Sequence, residues 1–142
     1  MTEEYMDLHF DIESGDFLKG GEASSRVKKA LLQLGISSDI IKRVCVACYE
    51  AEINIVIHSL GGCLEIAIFE DRVEIVAKDR GPGIEDIEKA MTEGYSTASD
   101  IARQMGFGAG MGLPNMKKSS DIFDISSVFG EYTKIIMVIN FR

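Results

Sequence analysis

Three clusters in this chain combine residue types and spacings that could do chemistry. The first lies in CYEAEINIVIHSLGG, residues 48–62. On a helix, Glu50, Asn54 and His58 advance by only about 40° at each step, so they form one polar ridge. Ile40, Ile41, Val44, Cys48, Ala51 and Ile55 fill the neighbouring sector, which puts the ridge at the lip of a core. Val46, Ile53 and Ile57 make much of the remaining surface apolar too. An acid and an amide placed there need partners. An Asn carbonyl oxygen is a hard ligand suited to Mg²⁺. A carboxylate one turn away could orient and deprotonate a hydroxyl or water beside a phosphate. The plainer reading is a solvated helix edge with His58 near its C-terminal end. Glu52 points elsewhere, towards Cys45 and Cys48, and its role is not legible from spacing.

The second cluster is DRGPGI, residues 79–84. Asp79 falls on the same strand face as Val73, Ile75 and Ala77, so alternation aims its carboxylate at the core side. A carboxylate there needs a donor, and an adenine exocyclic amine or a structural hydroxyl would each serve. Gly81 and Gly83 allow a sharp turn and a close approach to a flat base. Taken alone, D-x-G reads more readily as an ordinary turn after a strand.

The third is GFGAGMGLPNMKK, residues 106–118. Gly106, Gly108, Gly110 and Gly112 recur at every second position, which is costly in backbone entropy and supplies no packing. Such a run suits main-chain N–H groups wrapped around phosphates, with a following helix adding its positive end. Pro114 supports a helix start there. A flexible hinge is the alternative. A P-loop is excluded because no Lys-Ser/Thr follows, and a dinucleotide fingerprint because no strand leads directly into the glycines.

The elements that must position these clusters follow from periodicity. A strand is expected at 5–12, with Met6, Leu8, Phe10 and Ile12 on one face and His9 on the wet one. A helix at 22–34 carries Ala23, Val27, Ala30, Leu31 and Leu34 on one stripe and stops at Gly35. Ser37, Ser38 and Asp39 offer an N-cap for a helix running to His58, ended by Gly61 and Gly62. Strands at 63–69 and 72–79 form a hairpin around Glu70-Asp71. Short helical pieces at 85–91 and 101–105 interrupt a stretch holding seven of the chain's 14 glycines. A helix at 113–119 and strands at 122–128 and 132–141 complete the chain. The order predicts an α/β (α+β) sandwich with an antiparallel component, in one domain spanning 1–142.

Composition narrows the function classes. With 142 residues, 46% hydrophobic and 27% charged, the chain is globular and sized for one core. No apolar run reaches membrane-spanning length, and the acidic N-terminus is no signal peptide. A formal net charge of −8 argues against nucleic acid as a partner. It also requires that any nucleotide be held by a metal ion and backbone amides. Cys45, Cys48 and Cys63 are an odd number without disulfide spacing, which fits a reducing cytoplasm. The C-x-x-C at 45–48 lies inside a helical run and reads as inert thiols.

In order and spacing, the three clusters together resemble the Bergerat-fold ATPase superfamily of gyrase, MutL, heat-shock chaperones and sensor histidine kinases. Within it they are most similar to the small bacterial serine/threonine switch kinases and anti-sigma factors. EAEINIVIH resembles the N box, DRGPGI the first glycine box and GFGAGMGLPNM the second, while DIEKAMTEGYST at 86–97 resembles a lid entry. The resemblance spans residues 22–141.

It implies a two-layer sandwich, a mixed and mainly antiparallel sheet covered by helices on one face, with a glycine-rich ATP lid. It implies ATP and Mg²⁺ as ligands, Asn54 on the metal, Glu50 as general base and Asp79 on the adenine amine. Gly81 and Gly83 would pass beneath the base. Gly106, Gly108, Gly110 and Gly112 would surround the phosphates. Ile84, Met111 and Leu113 belong to the same boxes, and Thr133 matches a Thr near the adenine. The family often has Gly before that Thr, where this chain has Tyr132.

Two functions follow from the resemblance. One is a cytoplasmic serine/threonine kinase acting in trans on a small phosphoacceptor regulatory protein. The other is a nucleotide-gated anti-sigma factor that sequesters a sigma factor. Small members of the family often pair as homodimers. His58 lies within the nucleotide helix, which argues against a phosphoacceptor role.

Overall fold

The structure is a computed structural model and describes residues 4–92 and 112–142. Strand β1 (Glu4–Ile12) leads through a single 3₁₀ turn (Phe17–Lys19) into helices α1 (Glu22–Gln33) and α2 (Ser38–His58). Strands β2 (Gly62–Phe69) and β3 (Arg72–Arg80) follow, then a one-turn helix α3 (Ile87–Ala90). Helix α4 (Gly112–Ser119) precedes the hairpin β4 (Ile122–Val128) and β5 (Tyr132–Asn140). The expected strands and helices all appear within a residue or two of their predicted limits, apart from α3, which is shorter. The piece expected at 101–105 lies outside the described residues.

The sheet order is β1-β2-β3-β5-β4, and all four pairings are antiparallel. The sheet is therefore not mixed among the described strands. Two helices separate β1 from β2, and an even number of passes returns the chain to the end it left. Ile12 consequently lies opposite Gly62.

Alternation divides the sheet into two faces. Leu64, Ile66 and Ile68 of β2, Val73, Ile75 and Ala77 of β3, and Ile135, Met137 and Ile139 of β5 are buried on one side. Above them lie Val44, Ala51 and Ile55 of α2 and Met116 of α4, with Val27 and Leu31 of α1 in the same cluster. The opposite face carries His9, Asp11, Cys63, Glu65, Val76 and Ile136 and has no helix over it among the described residues.

Local chemistry sets the helix ends. Gly35, at φ 73°, takes the left-handed conformation that closes α1, and Ile36 N–H donates to Leu31 O at 3.1 Å. Ser37 has the extended backbone of an N-cap, but its side chain makes no capping bond. At the other end the helix runs to His58 as expected, and the stop is made by Ser59, ahead of the Gly61-Gly62 pair. Ser59 leaves helical geometry, its hydroxyl donates to Ile55 O at 2.6 Å, and it accepts from Gly61 N–H at 3.0 Å. The hydroxyl thus satisfies a carbonyl of the last helical turn and a backbone amide of the loop that follows. No helix among the described residues is long and apolar enough to cross a membrane.

Candidate functional site

Helix α2 lies across β1, β2, β3 and β5, and its C-terminal end is tied to the end of β3. Leu60 N–H donates to Arg80 O at 2.9 Å, and Arg80 N–H donates to Gly61 O at 2.9 Å. The last turns of α2, with Asn54 and His58, are thereby held at the same end of the sheet as Asp79. Helix α4 packs along α2 and presents its first turn to Glu50; a Cβ on Gly112 would sit 3.3 Å from Glu50 Oε2. Three of the sequence clusters thus meet through α2.

Glu50, Asn54 and His58 are each half-buried, which places the ridge at the lip of the core as its spacing requires. Burial pushes the Glu50 carboxyl above its ordinary range, partly opposed by a hydrogen bond with the Asn115 side chain. Asn115 went unnoticed in the sequence. It lies three residues after Gly112, on the first turn of α4, and only packing of α4 on α2 brings it to Glu50. Burial lowers His58, keeping its imidazole neutral near pH 7.

Asp79 sits at the end of β3, directly opposite Thr133 on β5. Thr133 N–H donates to Asp79 Oδ1 at 3.0 Å. Burial, opposed by that bond, raises the Asp79 carboxyl from 3.8 to about 6. No donor among the described residues reaches Oδ2, so the carboxylate has one oxygen ready for a ligand amine.

Thr133 is buried, on the face shared with Ile135, Met137 and Ile139 as alternation predicts. Its hydroxyl lies 2.9 Å from Ser127 Oγ, which in turn accepts from Ile84 N–H at 2.7 Å. Ser127 was missed because nothing in an exposed-looking hairpin strand marks it. Its role is to clamp the glycine turn onto β4. Tyr132 needs no glycine: among the described residues none but glycine has positive φ, and Tyr132 pairs within the sheet with Arg80 and Val128.

The Asp79–Ile84 turn contains a cis Gly81-Pro82 bond. Gly83, at φ 75°, packs so tightly that a Cβ would run into the Val128 carbonyl. Its glycine therefore answers to the β4–β5 hairpin as well as to any flat ligand. Ile84 is half-buried against the core.

In the third cluster, Gly112 opens α4, and Leu113, Pro114 and Met116 are buried beneath it. Gly106, Gly108, Gly110 and Met111 lie outside the described residues, as do residues 93–97 of the lid entry. Within that entry, Asp86 caps α3 by accepting from Lys89 N–H at 3.1 Å.

Glu52, without a role from spacing, has a structural one. It is 3% exposed and reaches from α2 to the start of α1, where Oε2 accepts from Ala23 N–H at 3.3 Å. Helix α1 begins at Gly21, which has no side chain with which to cap it. The carboxylate of Glu52 substitutes, at the cost of a raised pKa from burial, opposed by the amides of Ala23, Ser24 and Gly21. The thiols follow the inert reading: Cys48 is buried and burial raises both Cys48 and Cys45.

The donor set fits a magnesium nucleotide. Asn54 and Glu50 supply hard oxygens one turn apart, the α4 N-terminus faces them, and Asp79 Oδ2 is an acceptor that no donor among the described residues fills. Residues 21–139 match the family model of the histidine kinase-like ATPase domain. The chain is 36% identical to the serine/threonine-protein kinase RsbT of Bacillus subtilis, over 72% of this chain and 74% of that protein. It is 36% identical to an anti-sigma F factor of Clostridium acetobutylicum and 32% identical to one of Clostridium beijerinckii. Each of those two alignments spans 96% of this chain and 94% of the relative. The match over residues 21–139, which takes in β2 to β5 and all three sequence clusters, places the chain in the histidine kinase-like ATPase domain family.

Proposed function

We propose that the chain is a Mg-ATP-dependent serine/threonine protein kinase acting in trans on a small regulatory protein. The observation that carries this reading is the Glu50 carboxylate, half-buried against the first turn of α4 and one turn from Asn54. A carboxylate whose pKa is raised by burial is a stronger base than a solvated one. In this reading Asp79 Oδ2 accepts from the adenine amine, and Thr133 and Ser127 keep that carboxylate in place. Asn54 would hold Mg²⁺, which when bound neutralises charge developing on the phosphates. Glu50 takes the proton from the acceptor hydroxyl as its oxygen bonds the γ-phosphorus and the bond to the β–γ bridging oxygen breaks, leaving ADP. Gly106, Gly108, Gly110, Met111 and Leu113 complete the phosphate-side contacts, with Gly81, Gly83 and Ile84 beneath the base.

Incubation with γ-labelled ATP and a bacterial cytoplasmic extract tests it. One small protein should become labelled on Ser or Thr, and Glu50→Gln should abolish the labelling. Labelling that persists in Glu50→Gln, or no labelled protein at all, refutes the kinase reading.

A second reading is a nucleotide-gated anti-sigma factor, favoured by the near full-length similarity to anti-sigma F factors. The net charge of −8 suits a basic protein partner. Retention of a stoichiometric sigma factor by Glu50→Gln on affinity purification would select it. Either function belongs in the cytoplasm, where ATP and such partners are found.

A further inference from the structure

The sheet face that no helix covers among the described residues carries a second constellation, unrelated to the nucleotide site. On adjacent antiparallel strands, His9 lies opposite Glu65 and Asp11 lies opposite Cys63. Residues two apart on a strand share a face, so these four side chains form a square on one surface. An imidazole nitrogen, Cys63 Sγ and a Glu65 carboxylate oxygen all lie within 4.8 Å of one another. His9 Nε2 is 3.0 Å from Asp11 Oδ1. A carboxylate only accepts, so the proton of a neutral ring sits on Nε2 and the Nδ1 lone pair is bare. Nδ1 faces Glu65 Oε1 at 3.9 Å, a lone pair opposed to a carboxylate and too far for a hydrogen bond. Lys78 occupies the other oxygen of Glu65, Oε2, at 3.7 Å.

We propose that His9, Cys63 and Glu65 bind a thiophilic divalent cation of the zinc class, with Asp11 fixing the imidazole from behind. A cation between the three donors relieves the opposition of Nδ1 and Oε1. A carboxylate holding the far N–H of a ligating histidine is the usual outer partner at zinc sites. The mixed nitrogen, sulfur and oxygen set excludes Mg²⁺ and Ca²⁺, which require oxygen ligands. Tetrahedral zinc, with bonds of about 2.0–2.3 Å, spaces its ligands by roughly 3.3–3.8 Å, so the cluster closes by about 1 Å through rotation of half-exposed side chains. Binding releases the Cys63 thiol proton to solvent and leaves a fourth position open. The ion would pin edge strand β1 to β2.

The test uses the full chain freed of metal with a chelator and titrated with Zn²⁺ and Co²⁺. One equivalent of Zn²⁺ should bind and raise the melting temperature, and Co²⁺ should give a thiolate-to-metal absorption band. Cys63→Ser and His9→Ala should abolish the band, Cys45→Ser should retain it, and Asp11→Asn should weaken affinity by about 10–100-fold. ATP binding should be unchanged in His9→Ala, and Zn²⁺ binding unchanged in Asn54→Ala, so this proposal and the kinase reading fail separately. Absence of Zn²⁺ binding would overturn it, as would a band lost in Cys45→Ser but kept in Cys63→Ser. In either case the square is only a set of polar side chains on a solvent-facing sheet surface.

Discussion

Asp79→Asn separates what a residue does for folding from what it does for a ligand. In the folded chain the Asp79 carboxyl is raised from 3.8 to about 6, chiefly by burial. The folded state therefore binds its proton more tightly than the unfolded chain, and stability falls as pH rises between about 4 and 6. At ~1.4 kcal/mol for each tenfold change, the upper limit of the loss is ~3 kcal/mol. Water at the half-buried site screens part of it, leaving on the order of 1–2 kcal/mol. An amide at the same position keeps an oxygen for the Thr133 N–H, at 3.0 Å from Oδ1 in the wild type, and carries no charge to desolvate. Without nucleotide, Asp79→Asn should match the wild type near pH 4 and exceed it by about 1–2 kcal/mol at pH 8. Urea unfolding of both proteins from pH 4 to 8 measures this, and subtracting the curves removes the other carboxylates. Calorimetry on the same samples should show ATP affinity at pH 8 reduced at least about tenfold, because an amide nitrogen cannot accept from the adenine amine. A variant less stable than wild type at pH 8, with ATP affinity intact, would refute the reasoning. Asp79 would then be a structural acid.

Other perturbations test the neighbouring arguments. Glu50→Gln should lower phosphoryl transfer by about 10²–10⁴-fold while leaving ATP binding in place, measured by label transfer beside calorimetry. Glu52→Ala should cost about 1–3 kcal/mol in urea unfolding by uncapping α1, whereas Glu52→Gln keeps an acceptor and should cost far less. Because burial raises the Glu52 carboxyl, the Gln variant should gain on wild type as pH rises above the ordinary carboxylate range. Gly83→Ala forces a Cβ into the Val128 carbonyl at positive φ and should lower stability by about 1–3 kcal/mol, visible as a fall in melting temperature.

Periodicity alone determined most of the elements, because one buried face imprints a repeat of two or 3.6 on any strand or helix that borders it. It placed Glu50, Asn54 and His58 on one ridge and aimed Asp79 and Thr133 at the same side of the sheet, where both are found. The glycine spacing likewise located the turn after β3 and the start of α4. Tertiary structure alone decided the partnerships. Ile84 meets Ser127 across 43 residues, Thr133 meets Asp79 across 54, and Ala23 meets Glu52 across 29. No local repeat encodes such meetings, since each depends on which strands pair and which helix lies over them. The same holds for the square of His9, Asp11, Cys63 and Glu65, whose halves are read separately as a wet strand face and a hairpin. Register brings them together, and register is settled by burial of the opposite face rather than by the four residues themselves.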